Sequence, residues 1–328
     1  MSTKHQIVHL SKKGYKYLSE KNLDQAEECF LEILSSEPSN SYALVGMGEV
    51  KKEKEDFSGA AEAYLTCLRH HAGNTFALGG LVACYARTGA SDKIIDLWEN
   101  SFPPGDYRVS LLLKVADSYR KKGGFDKAKE LYMLILKKDK RNVFALNGLA
   151  NLYYDSNRFE EAMGFWEQQL ELDPENIRIL TSLGNCCRKI LDFQQGLNYY
   201  TKARSIEADN FYTLYGIADC YRGLRDFEKS LSAWQKVLEL DPANSIIITR
   251  TADAYRNTGD YEKAESCYHQ ALESGTDIYA LLGLAVIRKN TGKTPEAVAL
   301  LKRALEEEPS HQRALLLMEE CEYLLKNG

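Results

Sequence analysis

The stretch VFALNGLANLYYDSNRFEEAMGFWEQQLELDPEN, residues 143–176, contains the pattern that decides the fold. Small residues stand at its eighth and twentieth positions, Ala150 and Ala162, and bulky apolar residues stand at its fourth and twenty-fourth, Leu146 and Trp166. Apolar residues separated by three and four positions predict helices. Small residues between the bulky ones allow two helices to approach closely. The stretch therefore predicts one pair of packed helices.

The same pattern recurs along the chain at intervals of 34 residues. Six copies pair a small residue at position 20 with a bulky one at position 24: Ala26 with Phe30, Ala60 with Tyr64, Ala128 with Tyr132, Ala162 with Trp166, Ala264 with Tyr268, and Ala297 with Leu301. Counting back gives nine repeats, the eighth one residue short, which begin at Ile7, Ser41, Thr75, Val109, Val143, Ile177, Phe211, Ser245 and Ile278. A fixed period of this length is typical of stacked helix pairs.

Glycine, proline and asparagine mark the ends of the predicted helices. Glycine adopts a left-handed conformation at no steric cost, and it ends the first helix at Gly89, Gly123, Gly259 and Gly292. Proline cannot continue a helix, and it ends the second helix at Pro38, Pro174, Pro242 and Pro309. An asparagine side chain can cap the helix that follows. The last residue of six repeats, two places after the position where proline occurs, is an asparagine: Asn40, Asn74, Asn142, Asn176, Asn210 and Asn244.

This pattern resembles that of the tetratricopeptide repeat family over Ile7 to His311, with residues 312–328 as a C-terminal capping helix. The resemblance implies an all-α fold, a right-handed superhelical solenoid of antiparallel helix pairs (an α-α superhelix). It also implies a non-enzymatic scaffold or adaptor for protein–protein interaction. Each repeat of such a protein buries its apolar face against its neighbours alone.

Repeat three departs from the pattern. Ile94 replaces the small residue of position 20, and Phe102-Pro103-Pro104-Gly105 truncates the second helix. We expect a bend or a loosened joint there. The predicted organisation is therefore repeats one to three in residues 1–108, repeats four to nine in residues 109–311, and the capping helix after them.

In the resembled family the first helix of every repeat lines a concave groove, which is the expected binding site. Position nine of repeats four to eight carries Asp117, Asn151, Asn185, Asp219 and Asp253, and position twelve carries Arg120, Tyr154, Arg188, Arg222 and Arg256. Asn147, Tyr215 and Arg250 complete the candidate site. Asparagine can donate to and accept from a peptide backbone, and arginine can bind a carboxylate with two parallel hydrogen bonds. The two rows predict an extended peptide as ligand, with exposed aromatic residues at position two as further anchors: Tyr42, Phe76, Phe144, Tyr212 and Tyr279.

The expected lining is net positive in a chain of net charge -5. Its basic members in repeats four to nine are Lys114, Arg120, Lys121, Arg178, Arg188, Lys189, Arg222, Arg250, Arg256 and Lys289; its acidic members are Asp117, Asp155, Asp219 and Asp253. We therefore expect an acidic or carboxylate-ended segment as partner. The alternative is that Asp117–Arg120, Asp219–Arg222 and Asp253–Arg256 are ordinary pairs on a solvated helix face, each worth roughly 0.2 to 0.5 kcal/mol.

Other kinds of function lack a sequence signal. No phosphate-binding glycine motif and no spaced histidine or cysteine pair is present, so we expect no catalytic residue, no metal and no cofactor. The eight cysteines are too few for a disulfide framework and are interpreted as packing residues. No apolar run is long enough to span a membrane and no signal peptide is seen, which predicts a cytoplasmic protein without membrane insertion.

Three alternatives stay open at this point. A low pI of about 5.8 disfavours nucleic acid as partner, although helical repeats that bind RNA exist. Self-association into a homo-oligomer through the last helix is indicated by a surplus of leucines, namely Leu315, Leu316, Leu317, Leu324 and Leu325. The chain could also be the regulatory arm of a separate enzyme.

Overall fold

The computed structural model describes residues 3–103, 105, 107–273 and 275–327. Within these ranges the secondary structure consists of helices, and no strand is present. The chain divides into two compact units, Met1–Phe165 and Trp166–Gly328, with the boundary inside one helix. The prediction of an all-α fold built from helix pairs is confirmed.

Unit 1 contains four helix pairs, α1 to α8, followed by α9 and the first residues of α10. The first helix of each pair contacts the second, and the second contacts the next first helix, from α1 through α9. Their bounds are α1 Thr3–Ser19, α2 Leu23–Ser36, α3 Ser41–Glu53, α4 Phe57–His70, α5 Thr75–Arg87, α6 Ser91–Ser101, α7 Val109–Lys121, α8 Phe125–Lys138, α9 Val143–Asp155 and α10 Phe159–Leu170.

Unit 2 continues the same pattern, and every helix from α11 through α18 contacts the one that follows it. Four pairs are followed by a single last helix. Their bounds are α11 Ile177–Lys189, α12 Phe193–Ile206, α13 Phe211–Gly223, α14 Phe227–Leu240, α15 Ser245–Thr258, α16 Tyr261–Glu273, α17 Ile278–Asn290, α18 Thr294–Glu307 and α19 Gln312–Asn327.

The core of each unit is a row of side chains from position 24 of the repeats. Phe30, Tyr64 and Tyr132 are fully buried in unit 1, as are Tyr200 and Trp234 in unit 2. An aromatic side chain of this size removes roughly 150–250 Å² from water. The rings of Phe30, Tyr64, Tyr132 and Tyr200 pack against glycines of the first helices, including those of the next repeat. Burial of these rings therefore holds neighbouring repeats together.

The six predicted asparagine caps are present. In each, the side-chain oxygen accepts a hydrogen bond from a backbone N–H of the following first helix: Asn40 from Ala43, Asn74 from Phe76 and Ala77, Asn142 from Ala145, Asn176 from Ile179, Asn210 from Thr213, and Asn244 from Ile247. Asp277, which the sequence reading did not include, caps α17 in the same way. These bonds satisfy N–H groups that a helix start leaves unpaired.

Position 15 of every repeat has a positive φ, between 58° and 87°. The four glycines predicted there adopt it, with φ of 71°, 75°, 87° and 77° for Gly89, Gly123, Gly259 and Gly292. Five repeats place a residue other than glycine in the same conformation, which the sequence reading did not anticipate: Lys21, Glu55, Asn157, Leu191 and Arg225. The turn between the two helices of a repeat therefore has one geometry, whichever residue occupies it.

The unusual segment of repeat three packs around aromatic rings. Helix α6 is 11 residues long and ends at Ser101. After it, the rings of Trp98, Phe102 and Tyr107 lie in mutual contact, with centroids 5.1 to 5.4 Å apart. Pro104, part of the predicted break, lies outside the described residues.

Candidate functional site

The first helices of unit 2, α11, α13, α15 and α17, carry the side chains of what is here called the first-helix face. Helix α11 contacts α13, α15 contacts α17, and α17 contacts α19. The face carries the side chains of positions two, five, six, nine, twelve and thirteen of each repeat. Eight of the thirteen predicted site residues belong to it: Asn185, Arg188, Tyr215, Asp219, Arg222, Arg250, Asp253 and Arg256.

Asp219 on α13 is the centre of the first cluster on this face. Its side chain is 11% exposed and accepts hydrogen bonds from two arginines. Arg222, one turn further along α13, donates to Oδ1 through Nε at 2.8 Å and Nη2 at 2.5 Å, and Arg188 of α11 donates to Oδ2 through Nη2. Burial disfavours the ionised carboxylate, but the two guanidinium groups outweigh it and hold the pKa of Asp219 below its ordinary value.

Two further predicted residues surround Arg188. Its Nη1 donates to Asn185 Oδ1 at 3.2 Å, and its guanidinium carbon lies 5.7 Å from the centre of the Tyr215 ring, within the range of a cation–π interaction. Burial opposes the charge of Arg188, yet the neighbouring carboxylate of Asp219 keeps its pKa above the ordinary value. The structure thus brings five predicted residues of two neighbouring repeats into one cluster.

Asp253 on α15 is the centre of a second cluster. Arg256 Nη2 lies 3.3 Å from Asp253 Oδ1, and Arg250 Nη1 lies 3.9 Å from Oδ2. All three side chains are partly buried. Each of the two aspartates therefore faces two arginines.

Buried tyrosine hydroxyls, which the sequence reading assigned only to packing, also contact these clusters. Tyr200 donates to Asn185 Oδ1 at 2.8 Å, and Tyr268 donates to Asp253 Oδ1 at 2.7 Å. Arg256 Nε in turn donates to the Tyr268 hydroxyl at 3.2 Å. The sequence contained one signal for these contacts: position 24 alternates, and every even-numbered repeat from two to eight carries tyrosine there.

The other five predicted site residues lie in unit 1, on α7 and α9. Arg120 Nη1 donates to Asp155 Oδ2 at 2.6 Å, and Asp117 accepts a hydrogen bond from the Tyr132 hydroxyl. On α9, Asn151 Nδ2 donates to the backbone carbonyl of Asn147 at 2.8 Å. The ring of Tyr154 packs edge-on against Phe159 at 5.4 Å. In contrast to the unit 2 clusters, the Arg120 guanidinium is matched by one carboxylate, Asp155, from the first helix of the next repeat.

The apolar side chains at position two are exposed. They are Tyr212, Ile246 and Tyr279 in unit 2, and Tyr42, Phe76 and Phe144 in unit 1. On α19, Leu315, Leu316, Leu324 and Leu325 are exposed. Lys289, Glu320, Tyr323 and Leu324 line an open cavity of about 380 Å³ between α17 and α19.

The cysteines pack within the repeats. All eight are free, and seven are buried. Burial raises the pKa of Cys187 to about 11 and that of Cys220 to about 12, so these thiols stay protonated at neutral pH. In the described part of the chain, His, Cys, Asp and Glu side chains form no group suited to hold a metal ion. Nor does any helix there combine the length and the apolar character needed to cross a membrane.

Sequence comparison matches two family models, both described as tetratricopeptide repeat. One matches residues 113–177 and 249–311, and the other matches residues 211–244. No curated protein matches the chain.

Several solved structures are similar in fold. The C-terminal part of a tetratricopeptide repeat-containing protein from Cytophaga hutchinsonii is 14% identical, covers 73% of this chain and 99% of its own, and has a TM-score of 0.63. PilF from Pseudomonas aeruginosa is 15% identical, with coverage of 65% and 97% and a TM-score of 0.53. A tetratricopeptide repeat protein from Parabacteroides merdae is 15% identical, with coverage of 86% and 98% and a TM-score of 0.51. At these identities the likeness shows the fold alone.

Proposed function

Because the chain belongs to the tetratricopeptide repeat family, whose fold is generally a non-enzymatic one for protein interaction, we propose that it is a scaffold that binds an extended acidic peptide segment. The segment lies on the first-helix face of unit 2. One observation carries the proposal: on this face two aspartates are each flanked by two arginines.

The two-to-one ratio leaves positive charge uncompensated. Asp219 neutralises one of its two guanidinium groups, and Asp253 does the same for its pair, so each cluster has a formal charge of about +1 at neutral pH. Arg178 and Lys189 of α11, at positions two and thirteen, belong to the same face and add to its charge. Since the chain as a whole has a net charge of -5, the face is a local positive region that favours acidic ligands and speeds their encounter.

The arginines also retain unused hydrogen-bonding capacity. A guanidinium has five N–H donors in a rigid planar fork, and the internal contacts of Arg222 use two of its nitrogens on one oxygen of Asp219. The Arg222 side chain is 43% exposed, so a ligand carboxylate can reach its remaining donors. One arginine per aspartate would be enough to neutralise the charge of the helix surface.

The proposal is tested by removing the arginines and measuring binding of a defined probe. The probe is a fluorescein-labelled synthetic peptide rich in glutamate, followed by fluorescence anisotropy. Replacing Arg188, Arg222 and Arg256 together by alanine should weaken binding by about tenfold or more, since loss of a charged hydrogen bond costs roughly 1.5–3 kcal/mol. Affinity of the intact protein should also fall as salt is raised.

A matched control removes the same charge from another surface. Lys202, Arg204 and Lys236 are exposed on the second helices α12 and α14, and their replacement by alanine should leave affinity nearly unchanged. Charge reversal at the exposed Arg222 alone, as Arg222→Glu, checks the result with less risk to folding. Equal losses from the two triple variants, or none from the first, would refute this site.

A further inference from the structure

The repeats of this chain alternate, so that its structural unit is a pair of repeats. Position 24 is tyrosine in repeats two, four, six and eight, whereas the odd-numbered repeats carry phenylalanine, tryptophan or leucine. In all four even repeats the tyrosine hydroxyl donates to the side chain at position nine of its own repeat: Tyr64 to Glu49, Tyr132 to Asp117, Tyr200 to Asn185, and Tyr268 to Asp253.

The following odd repeat makes room for this tyrosine. A Cβ atom added at the glycine of its position six would lie 2.1 to 2.3 Å from the nearest ring atom, which no real contact allows; the pairs are Gly80 with Tyr64, Gly148 with Tyr132, Gly216 with Tyr200, and Gly283 with Tyr268. In the even repeats, each of which follows an odd repeat, position six is not glycine in three cases of four but Lys114, Ser182 or Arg250. Glycine thus occupies position six in every repeat that comes directly after a repeat with tyrosine at position 24.

Each even repeat also carries a cation at position twelve, one turn after the acceptor. The residues are Lys52, Arg120, Arg188 and Arg256. Lys52 contacts Glu49, Arg188 contacts Asn185 at 3.2 Å, and Arg256 contacts both Asp253 and Tyr268. We call the tyrosine, the acceptor and the cation of one even repeat a tyrosine triad.

We propose that Tyr200 and Tyr268 are positioning residues, which fix Arg188 and Arg256 on the first-helix face before a ligand arrives. This inference rests on the proposed function. Each pair of repeats then offers a fixed cation from its even member and an exposed aromatic side chain, Tyr212 or Tyr279, from position two of its odd member. The fitting ligand is an extended segment in which acidic and bulky apolar residues alternate.

The physical basis is preorganisation. A long, flexible arginine side chain loses rotamer freedom when it binds, and a side chain that is already held avoids most of that loss. Burial keeps the Tyr268 hydroxyl protonated by raising its pKa, so it can donate to Asp253 and accept from Arg256 across the working pH range. The aromatic hydroxyl therefore acts on the ligand through the arginine and touches no ligand atom itself.

The test compares two single substitutions that remove the same hydroxyl. Tyr268→Phe dismantles a triad on the proposed face, and Tyr64→Phe dismantles the triad of repeat two, which lies outside it. With a fluorescein-labelled peptide of alternating glutamate and leucine as probe, Tyr268→Phe should weaken binding between about 2-fold and about 12-fold. Tyr64→Phe should leave the affinity unchanged, although both variants lose similar stability in urea.

A double-mutant cycle separates positioning from a general structural effect. In an Arg256→Ala background the further change Tyr268→Phe should no longer affect binding, because no arginine remains to be positioned. An undiminished effect in that background overturns the inference, as does wild-type affinity in Tyr268→Phe. If the intact protein binds neither this peptide nor a purely glutamate-rich one, the proposed function and this inference are both overturned. If the intact protein binds and Tyr268→Phe binds equally well, the positioning role alone is overturned.

Discussion

Two adjacent glycines on α5, Gly79 and Gly80, should respond to alanine in opposite directions. A Cβ atom at Gly79 would meet nothing within 4 Å, whereas one at Gly80 would lie 2.3 Å from Cζ of Tyr64. The Tyr64 ring has no room to retreat, because on its other side it lies against Gly48 of α3, where an added Cβ would be 2.5 Å away.

The magnitudes follow from these contacts. In a helix interior alanine is favoured over glycine by about 0.8–1.0 kcal/mol, and Gly79→Ala should gain most of this. Gly80→Ala gains the same amount but forces the ring aside, which costs about 1–3 kcal/mol. It also disturbs the 2.6 Å hydrogen bond from Tyr64 to the Glu49 carboxylate, worth about 1.5–3 kcal/mol. We expect a net loss of about 2–5 kcal/mol for Gly80→Ala.

Urea unfolding, followed by circular dichroism, measures the free energy of unfolding of both variants. Because a repeat array can unfold in parts, hydrogen exchange of the α3–α5 backbone should accompany it and localise the loss to these helices. Similar stability of the two variants would show that the Tyr64 ring does not pack tightly against Gly80. The two substitutions are chemically identical and differ only in what the new methyl group meets.

Two further predictions concern unit 2. Leu191 is 71% exposed and adopts a φ of 64°, a conformation that costs a non-glycine residue about 1–2 kcal/mol. Leu191→Gly should therefore raise the urea midpoint of unfolding, and Gly259→Ala should lower it. The opposite result would contradict the left-handed geometry assigned to this turn. Asp219 has a lowered pKa in the folded state, so its ionised form stabilises the fold above the ordinary carboxyl pKa of about 3.9, and that contribution is lost as pH falls further. The stability difference between the natural chain and Asp219→Asn, measured by urea unfolding at a series of pH values, should shrink below about pH 4, and a gap that is constant with pH would count against the arginine–aspartate cluster.

Features that depend on spacing alone were predictable from the sequence. The repeat length, the asparagine caps and the left-handed glycines each follow from a residue type at a fixed place, and all are present in the structure. Leu191 was not predictable as a left-handed residue, because its side chain disfavours that conformation. It adopts it because the helices on either side impose the same turn as in the glycine-containing repeats.

The contacts of the candidate site were only half predictable. The sequence places Asp219 and Arg222 one turn apart on a single helix, so their pairing could be expected. The hydrogen bond from Arg188 to Asp219 joins two repeats, and the bond from Tyr200 to Asn185 joins the second helix of a repeat to its first. Both depend on how far one helix is displaced along another, which a periodic pattern does not specify.

The same triad has different charge in different repeats, and this bears on which ones can bind. In repeat two, Glu49 contacts Lys52, and position six is Gly46, so one cation meets one carboxylate. In repeat eight, position six is Arg250, which brings a second cation to Asp253 beside Arg256. Both repeats thus share the tyrosine and an acidic acceptor, and the second arginine makes the triad of repeat eight cationic, whereas the triad of repeat two is neutral. In repeat eight, Arg250 at position six therefore supplies charge that the triad can present to a ligand. An arginine in place of Gly46 in repeat two would be prevented by the Phe30 ring, which lies 2.4 Å from the Cβ position.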